Sequence, residues 1–196
     1  MSTKLKLLIC LIVALIIFGG GFSVGYHADR GNDPQDGITT VFTPYEDGIS
    51  NYLSFLGRAS KSVYLADYSF TDARIVDKLI ELSSKSKVGI HLLLDLSQTR
   101  GRSGDHELQQ IDRLRSSGIE VVLGTSEKAH QIMHHKYTVI DAEWVESGSW
   151  NYTQAANQQD NCLDFIKSKK RAKLFRDNWD KMYRFMKDQE GQASTR

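Results

Sequence analysis

Cysteine is scarce: Cys10 and Cys162 are the only two in 196 residues, one in an N-terminal apolar run and one far downstream. Two residues so placed make neither a disulfide framework nor a zinc site, and both read as small apolar side chains. Net charge is scarce too. The formal total is +1, and Lys4 and Lys6 are the only charges in residues 1–25, so the remainder sets 23 bases against 24 acids, a balance of −1. Bulk charge therefore does not announce a polyanion binder, and any attraction for phosphates has to come from local patches. The sequence also lacks an internal repeat and any segment resembling a base-reading module.

What is present begins with a break in composition. Leu7 to Phe18 form an unbroken apolar run behind Lys4 and Lys6, and no charge reappears until Asp29. The segment 1–28 reads either as a signal peptide, with small residues near Ser23 and Gly25 for a peptidase, or as a membrane anchor. As an apolar helix, Leu7 to Tyr26 at ~1.5 Å per residue spans the ~30 Å hydrocarbon core. Both readings leave Lys4 and Lys6 in the cytoplasm and export the rest, to the periplasm or exterior or onto the outer side of a membrane. Cys10 is not a lipoprotein cysteine, because no small residues precede it. Residues 29–37, rich in Gly, Asp, Asn and Pro, read as a linker, 38–188 as the folded domain and 189–196 as a tail. A domain of that size buries roughly 70% of the surface its unfolded chain exposes, and needs no staple.

Within the domain, β-type runs alternate with helical spacings. Thr39 to Phe42, Ser62 to Phe70, Val88 to Leu96 and Ile119 to Leu123 read as strands, separated by helices striped with Ile49, Leu53 and Leu56, then Ile75, Leu79 and Ile80, then Leu108, Ile111 and Leu114. Three short strands follow, at Tyr137 to Ile140, Trp144 to Ser147 and Leu163 to Ile166, and a closing helix carries Phe175, Trp179, Met182 and Met186 as a core-facing stripe. The expected fold class is α/β, a mixed, largely parallel sheet flanked by helices.

The segment HHKYTVIDAEWVESGSWNYTQAANQQDN, residues 134–161, carries the chemistry. In an extended strand His134 and Lys136 share a face and can share a ligand, whereas His135 points away and reads as structural. Asp141 follows Lys136 by five residues, and Gly148, Ser149 and Asn151 complete the pattern H-x-K, four residues, D, six residues, G-S-x-N. Asp141 reads as a hydrogen-bond partner at a strand end, and Gly148 as a point of close backbone packing. The basic run Lys167, Lys169, Lys170, Arg171 and Lys173, and the loop with Arg100 and Arg102, are candidates for steering a polyanion.

This pattern resembles the phospholipase D superfamily signature. Its continuation through Tyr152, Thr153, Asp160 and Asn161, together with VFTP at Val41 to Pro44, resembles the small bacterial nucleases of that superfamily. The late acidic residue is usually glutamate there, and the stretch from Ala156 to Asp160 is shortened here. The resemblance implies a phosphodiesterase that works through a phosphohistidine, with His134 as nucleophile or acid and Lys136, Ser149 and Asn151 holding the phosphate. Asp160, in the same or an opposite subunit, orients the imidazole. No cofactor or metal is implied, because a lysine stands where a cation would sit. One motif supplies one histidine where the reaction needs two. Short family members pair two subunits, so the implied assembly is a homodimer. The implied substrate is nucleic acid, DNA or RNA, with a phospholipid headgroup as the alternative, which the apolar N-terminus would serve.

Overall fold

The computed structural model describes residues 37–194, so the readings of segment 1–28 and most of the linker lie outside the described residues. The elements run β1 (Ile38–Thr43), α1 (Gly48–Leu56), β2 (Ser62–Asp67), α2 (Ala73–Ser86), β3 (Gly89–Asp95), α3 (Gly101–Ser116), β4 (Glu120–Gly124), β5 (Lys136–Ile140), β6 (Trp144–Gly148), β7 (Asn161–Lys167) and α4 (Lys169–Ser194). Short 3₁₀ turns occupy Leu96–Thr99 and Gln154–Gln158.

One seven-stranded sheet is formed in the order β1-β7-β6-β5-β2-β3-β4. It is mixed, as expected, but parallel pairing is the minority: only β2 with β3 and β3 with β4 run parallel, where α2 and α3 supply the crossovers. The other four pairs are antiparallel. The antiparallel part comes from the last third of the chain, where a three-residue turn joins β5 to β6 and β7 returns beside β6 with no crossover helix.

Strand alternation sorts the core into two layers. Leu65, Leu92, Leu94 and Val121 face α1, α2 and α3, while their neighbours Ala66, Leu93 and Val122 face the other side, covered by Trp179 and Met186 of α4. Helix starts are capped by Asp47, which accepts from the Ser50 amide, and Asp72, which accepts from the Arg74 amide. Asp141, at the end of β5, accepts from the Ser60, Lys61 and Ser62 amides and the Ser60 hydroxyl at 2.7–2.9 Å. Burial opposes its charge, but these donors outweigh burial and hold the carboxyl below its ordinary range. The expected structural role of this aspartate is what the geometry shows. At Gly148 a Cβ would come within 2.0 Å of the Cys162 carbonyl oxygen, so only glycine permits the β6–β7 approach beside Ser149.

A polar chain crosses the interior between α1 and the sheet. The Tyr52 and Thr138 hydroxyls lie 2.6 Å apart, Thr138 and Tyr152 lie 2.8 Å apart, and the Tyr152 hydroxyl donates to buried Glu146. Burial pushes the Glu146 carboxyl up to about 8 from its ordinary 4.5. Between those values the folded state holds a proton that the unfolded state releases, so this group's contribution is full below pH 4.5 and is lost as pH rises toward about 8. Glu146→Gln keeps the shape and removes that proton. Thermal melts at acid and mildly alkaline pH should show the native midpoint falling with pH by several degrees more than the variant's.

Candidate active site

The residues of the sequence pattern meet at one edge of the sheet, where β2, β3 and β4 end and β5 begins. It is also the place where the sheet changes from parallel to antiparallel, between β2 and β5. β5 starts only at Lys136, so His134 and His135 belong to the incoming loop and not to a strand. His134 is exposed, its ring 4.6 Å from that of Tyr68. Lys136 is buried, with its Nζ over the Tyr68 ring at 5.0 Å and donating to the His134 carbonyl at 3.1 Å. One tyrosine face thus serves both groups.

Ser149 and Asn151 follow β6 to the same edge. The Ser149 hydroxyl donates to Asn161 Oδ1 at 3.0 Å and accepts from the Cys162 amide at 3.2 Å, tying the G-S-x-N turn to the start of β7. Asn151 is half-buried, and its Oδ1 has no hydrogen-bond partner among the described residues. Asp160 is exposed one residue ahead of β7 and makes no hydrogen bond or ion pair among the described residues. Within the chain, a carboxylate whose charge acts on His134 is Asp95, at the end of β3.

Asp95 accepts from the Met133 amide at 2.6 Å, from the Ser97 amide at 2.8 Å and from the Ser97 hydroxyl. It fixes the loop that delivers His134. Partial burial first, and then the Lys136 charge, lower the His134 pKa, with Asp95 opposing them. Burial and Lys136 thus favour the neutral imidazole, and Asp95 the imidazolium.

Asp67, at the end of β2, stands opposite Lys136 in the antiparallel register and is fully buried. Its Oδ2 accepts from the Tyr152 amide, next to Asn151, at 3.2 Å, while Oδ1 has no partner among the described residues. Burial raises the Asp67 carboxyl and lowers the Lys136 ammonium, and each charge favours the other's ionised form. Nearby Glu107 accepts from the Phe70 amide at 3.2 Å and is pushed up to about 7 by burial. Asp67, Asp95 and Tyr68 escape the motif reading. Their signal in the sequence is an acid closing an apolar strand, VYLAD and IHLLLD, at the carboxyl edge of the sheet where α/β ligands bind.

The basic run lies at the other end. Lys167 is in register with Trp144, across from Ile140, and its Nζ is 3.7 Å from Glu143, while Lys173 pairs with Asp177. Those cations do not lead into the site. Arg100 is exposed just ahead of α3, and the side chain of Arg102 lies outside those described. Among the described residues no group of three or more His, Cys, Asp or Glu side chains could hold a metal ion.

The model of the family "Cardiolipin synthase, PLD-like domain" matches residues 52–183, and the chain belongs to the phospholipase D superfamily of phosphodiester hydrolases. It is 32% identical over 147 residues to a phospholipase D of Rickettsia felis, covering 72% of this chain and 67% of that one. To a mitochondrial cardiolipin hydrolase of Chlamydomonas reinhardtii it is 28% identical over 140 residues, 71% of this chain, and it spans 59% of that protein's length. Among solved structures it resembles Nuc from Salmonella typhimurium, a phospholipase D family member, with a TM-score of 0.67 and 25% identity over 75% of this chain and 93% of that one.

Two substitutions test the electrostatics. In Asp95→Asn the charge that supports imidazolium is gone, so the His134 titration followed by NMR moves to lower pH, and the acid limb of activity moves with it. Asp67→Asn retains an acceptor for the Tyr152 amide but removes the charge that keeps Lys136 protonated. The alkaline limb of activity should move to lower pH, and an unchanged limb would show that Asp67 acts only through its hydrogen bond.

Proposed function

We propose that this chain is a metal-independent endonuclease that hydrolyses DNA or RNA with little sequence preference, through a phosphohistidine intermediate in a site shared by two subunits. The observation that carries this reading is one exposed imidazole at the sheet edge where a buried lysine and the unpartnered Asn151 carboxamide oxygen also stand. The chemistry follows from those groups. The imidazole lone pair of one His134 attacks phosphorus, and the P–O bond to the leaving oxygen breaks. The partner subunit's His134, protonated, gives that oxygen its proton. The same histidine then takes a proton from water, and the hydroxide displaces the first imidazole from phosphorus. Lys136 and Asn151 take up the charge on the non-bridging oxygens in both steps, and Ser149 holds the turn that aims Asn151. Each chain supplies one such histidine, which is why the reading needs two chains related by a two-fold axis.

Three features support nucleic acid as substrate. The continuation of the motif through Tyr152 and Thr153 resembles the small bacterial nucleases, Nuc is covered over 93% of its length, and the phosphate-holding edge is open to solvent at His134 and Ser149. A phospholipid headgroup is the second reading. It is favoured by the names of the sequence relatives and by the apolar run of residues 7–18, which as an anchor would hold the domain at a membrane on the exported side.

The deciding assay is hydrolysis of single- and double-stranded DNA, RNA and phosphatidylcholine vesicles in excess EDTA by the full chain and by His134→Ala. Nucleic-acid cleavage by the parent, reduced at least about a thousandfold in the variant, is the expected outcome. Cleavage confined to lipid reassigns the substrate, and activity abolished by EDTA defeats the metal-independent mechanism.

A further inference from the structure

Beside His134 the surface opens into a cavity of about 200 Å³ between the β4–β5 loop and α4. Three residues one helical face apart, Asn178, Met182 and Phe185, form its α4 wall, and Met133 and Ile132 face them from the loop. Met133 is buried in the core layer under α4, Met182 and Phe185 pack against that layer, and Ile132 is exposed. Both His134 and His135 line the opening, the His135 ring packing against Tyr137 on the α4 side as alternation expects, while the His134 ring lies against Tyr68. Polar groups share the lining with the apolar side chains: the two histidines, Thr125 and Ser126, the Asn178 carboxamide, which donates to the Tyr137 hydroxyl at 3.1 Å, and a rim ion pair between Lys181 and Glu127 at 3.1 Å.

Resting on the nuclease reading, we propose that this cavity receives the nucleobase of the nucleotide adjoining the scissile phosphate. Size sets the first limit. An apolar cavity of about 150 Å³ takes up one benzene ring, so this one has room for a single heteroaromatic ring system and not for a long acyl chain. The walls set the second. Two thioethers and one phenyl ring make a polarizable wall suited to a planar π-system, and the hydroxyl and carboxamide meet the polar edge that every base carries. A trimethylammonium headgroup fits badly, since it wants several aromatic faces, whereas here one phenyl ring stands beside the Lys181 ammonium and the Glu127 carboxylate is already paired. Position sets the third. Because His134 borders the cavity, a base seated there is joined through one sugar to the phosphate that His134 attacks. Such a slot accepts any base, consistent with cleavage that reads no sequence.

The test uses the full chain and a labelled single-stranded oligonucleotide carrying one abasic nucleotide, with the cutting rate read at each phosphate. The native protein should cut the phosphate beside the abasic position about tenfold more slowly than the same phosphate in the intact strand, the loss expected when one stacked base is removed. Met182→Trp, which fills the slot, should cut both strands at the same low rate. Phe185→Leu, a gentler change, should lie between. Equal cutting of both strands by the native protein overturns the proposal. So does an altered sedimentation of Met182→Trp without an abasic effect, which would make the cavity a contact between chains. Hydrolysis of phosphatidylcholine with no cutting of any oligonucleotide removes the nuclease reading itself, and this proposal with it, a result distinct from the other two.

Discussion

The Tyr152 amide donating to Asp67 is the bond on which the site depends. Asp67 ends β2 opposite Lys136, and Tyr152 follows Asn151, so one buried carboxyl joins the two halves of a motif that are fifteen residues apart in the chain. The joint is reinforced by backbone alone. The Thr71 and Asp72 amides both donate to the Tyr152 carbonyl at 3.0 Å, and Phe70 bridges Tyr152 in parallel fashion. The tyrosine ring then runs inward to Thr138, Tyr52 and Glu146, so the segment bearing Asn151 is fixed by its main chain on one side and its side chain on the other. The group that the proposed mechanism sets against a phosphate is thus placed on a stretch anchored from two sides.

A second consequence concerns charge. Five carboxyl groups, Asp67, Asp72, Asp95, Glu107 and Glu146, are buried among the described residues, Asp72 paired with Arg74, near an edge that in the proposed mechanism receives an anion. Left ionised together they would repel it. Burial resolves the conflict by keeping the proton on Glu146 at neutral pH and bringing Glu107 to the threshold, while Asp67 is coupled to Lys136 and Asp95 is taken up by two amides and a hydroxyl. In the proposed mechanism the phosphate therefore meets a lysine whose neighbouring acids are neutral, paired or hydrogen-bonded. It follows that the site's cationic character comes from the arrangement of few charges, in keeping with a composition that carries almost none in excess.

The sequence exposes the parts of this design that recur at short range. His134, Lys136, Gly148, Ser149 and Asn151 stand at fixed intervals on three adjacent elements, so one linear pattern contains them. The strand and helix stripes were legible because burial on two faces of a sheet imposes period two or continuous apolar runs. What spacing could not show was the direction of strand pairing, since β5 could lie on either side of β2, and the identity of the acid near His134. Asp95 is 39 positions from His134 and reaches it only because β3 and the β5 entry loop end at the same edge. Asp160 is close to the motif in sequence, yet the shortened turn before β7 leaves it in solvent. His135 keeps to the alternation even though the strand begins one residue later: its ring lies against Tyr137 on the α4 side, while His134 and Lys136 both pack on Tyr68.

The two-fold arrangement and the cavity bear on one another. In the proposed dimer each chain brings a His134 with its own slot beside it, so one scissile phosphate is flanked by two identical cavities. The two ester oxygens of a nucleic-acid linkage belong to the 3′ side of one nucleotide and the 5′ side of the next, and no two-fold axis relates them. A strand can then lie across the axis in either direction, with either histidine attacking and the other protonating the leaving oxygen. A site of this kind cannot enforce strand polarity through its catalytic groups, because the symmetry that supplies the second histidine also makes the two directions equivalent. Any preference for which ester bond breaks has to come from the substrate, through the stability of the leaving oxygen and the fit of the base on each side.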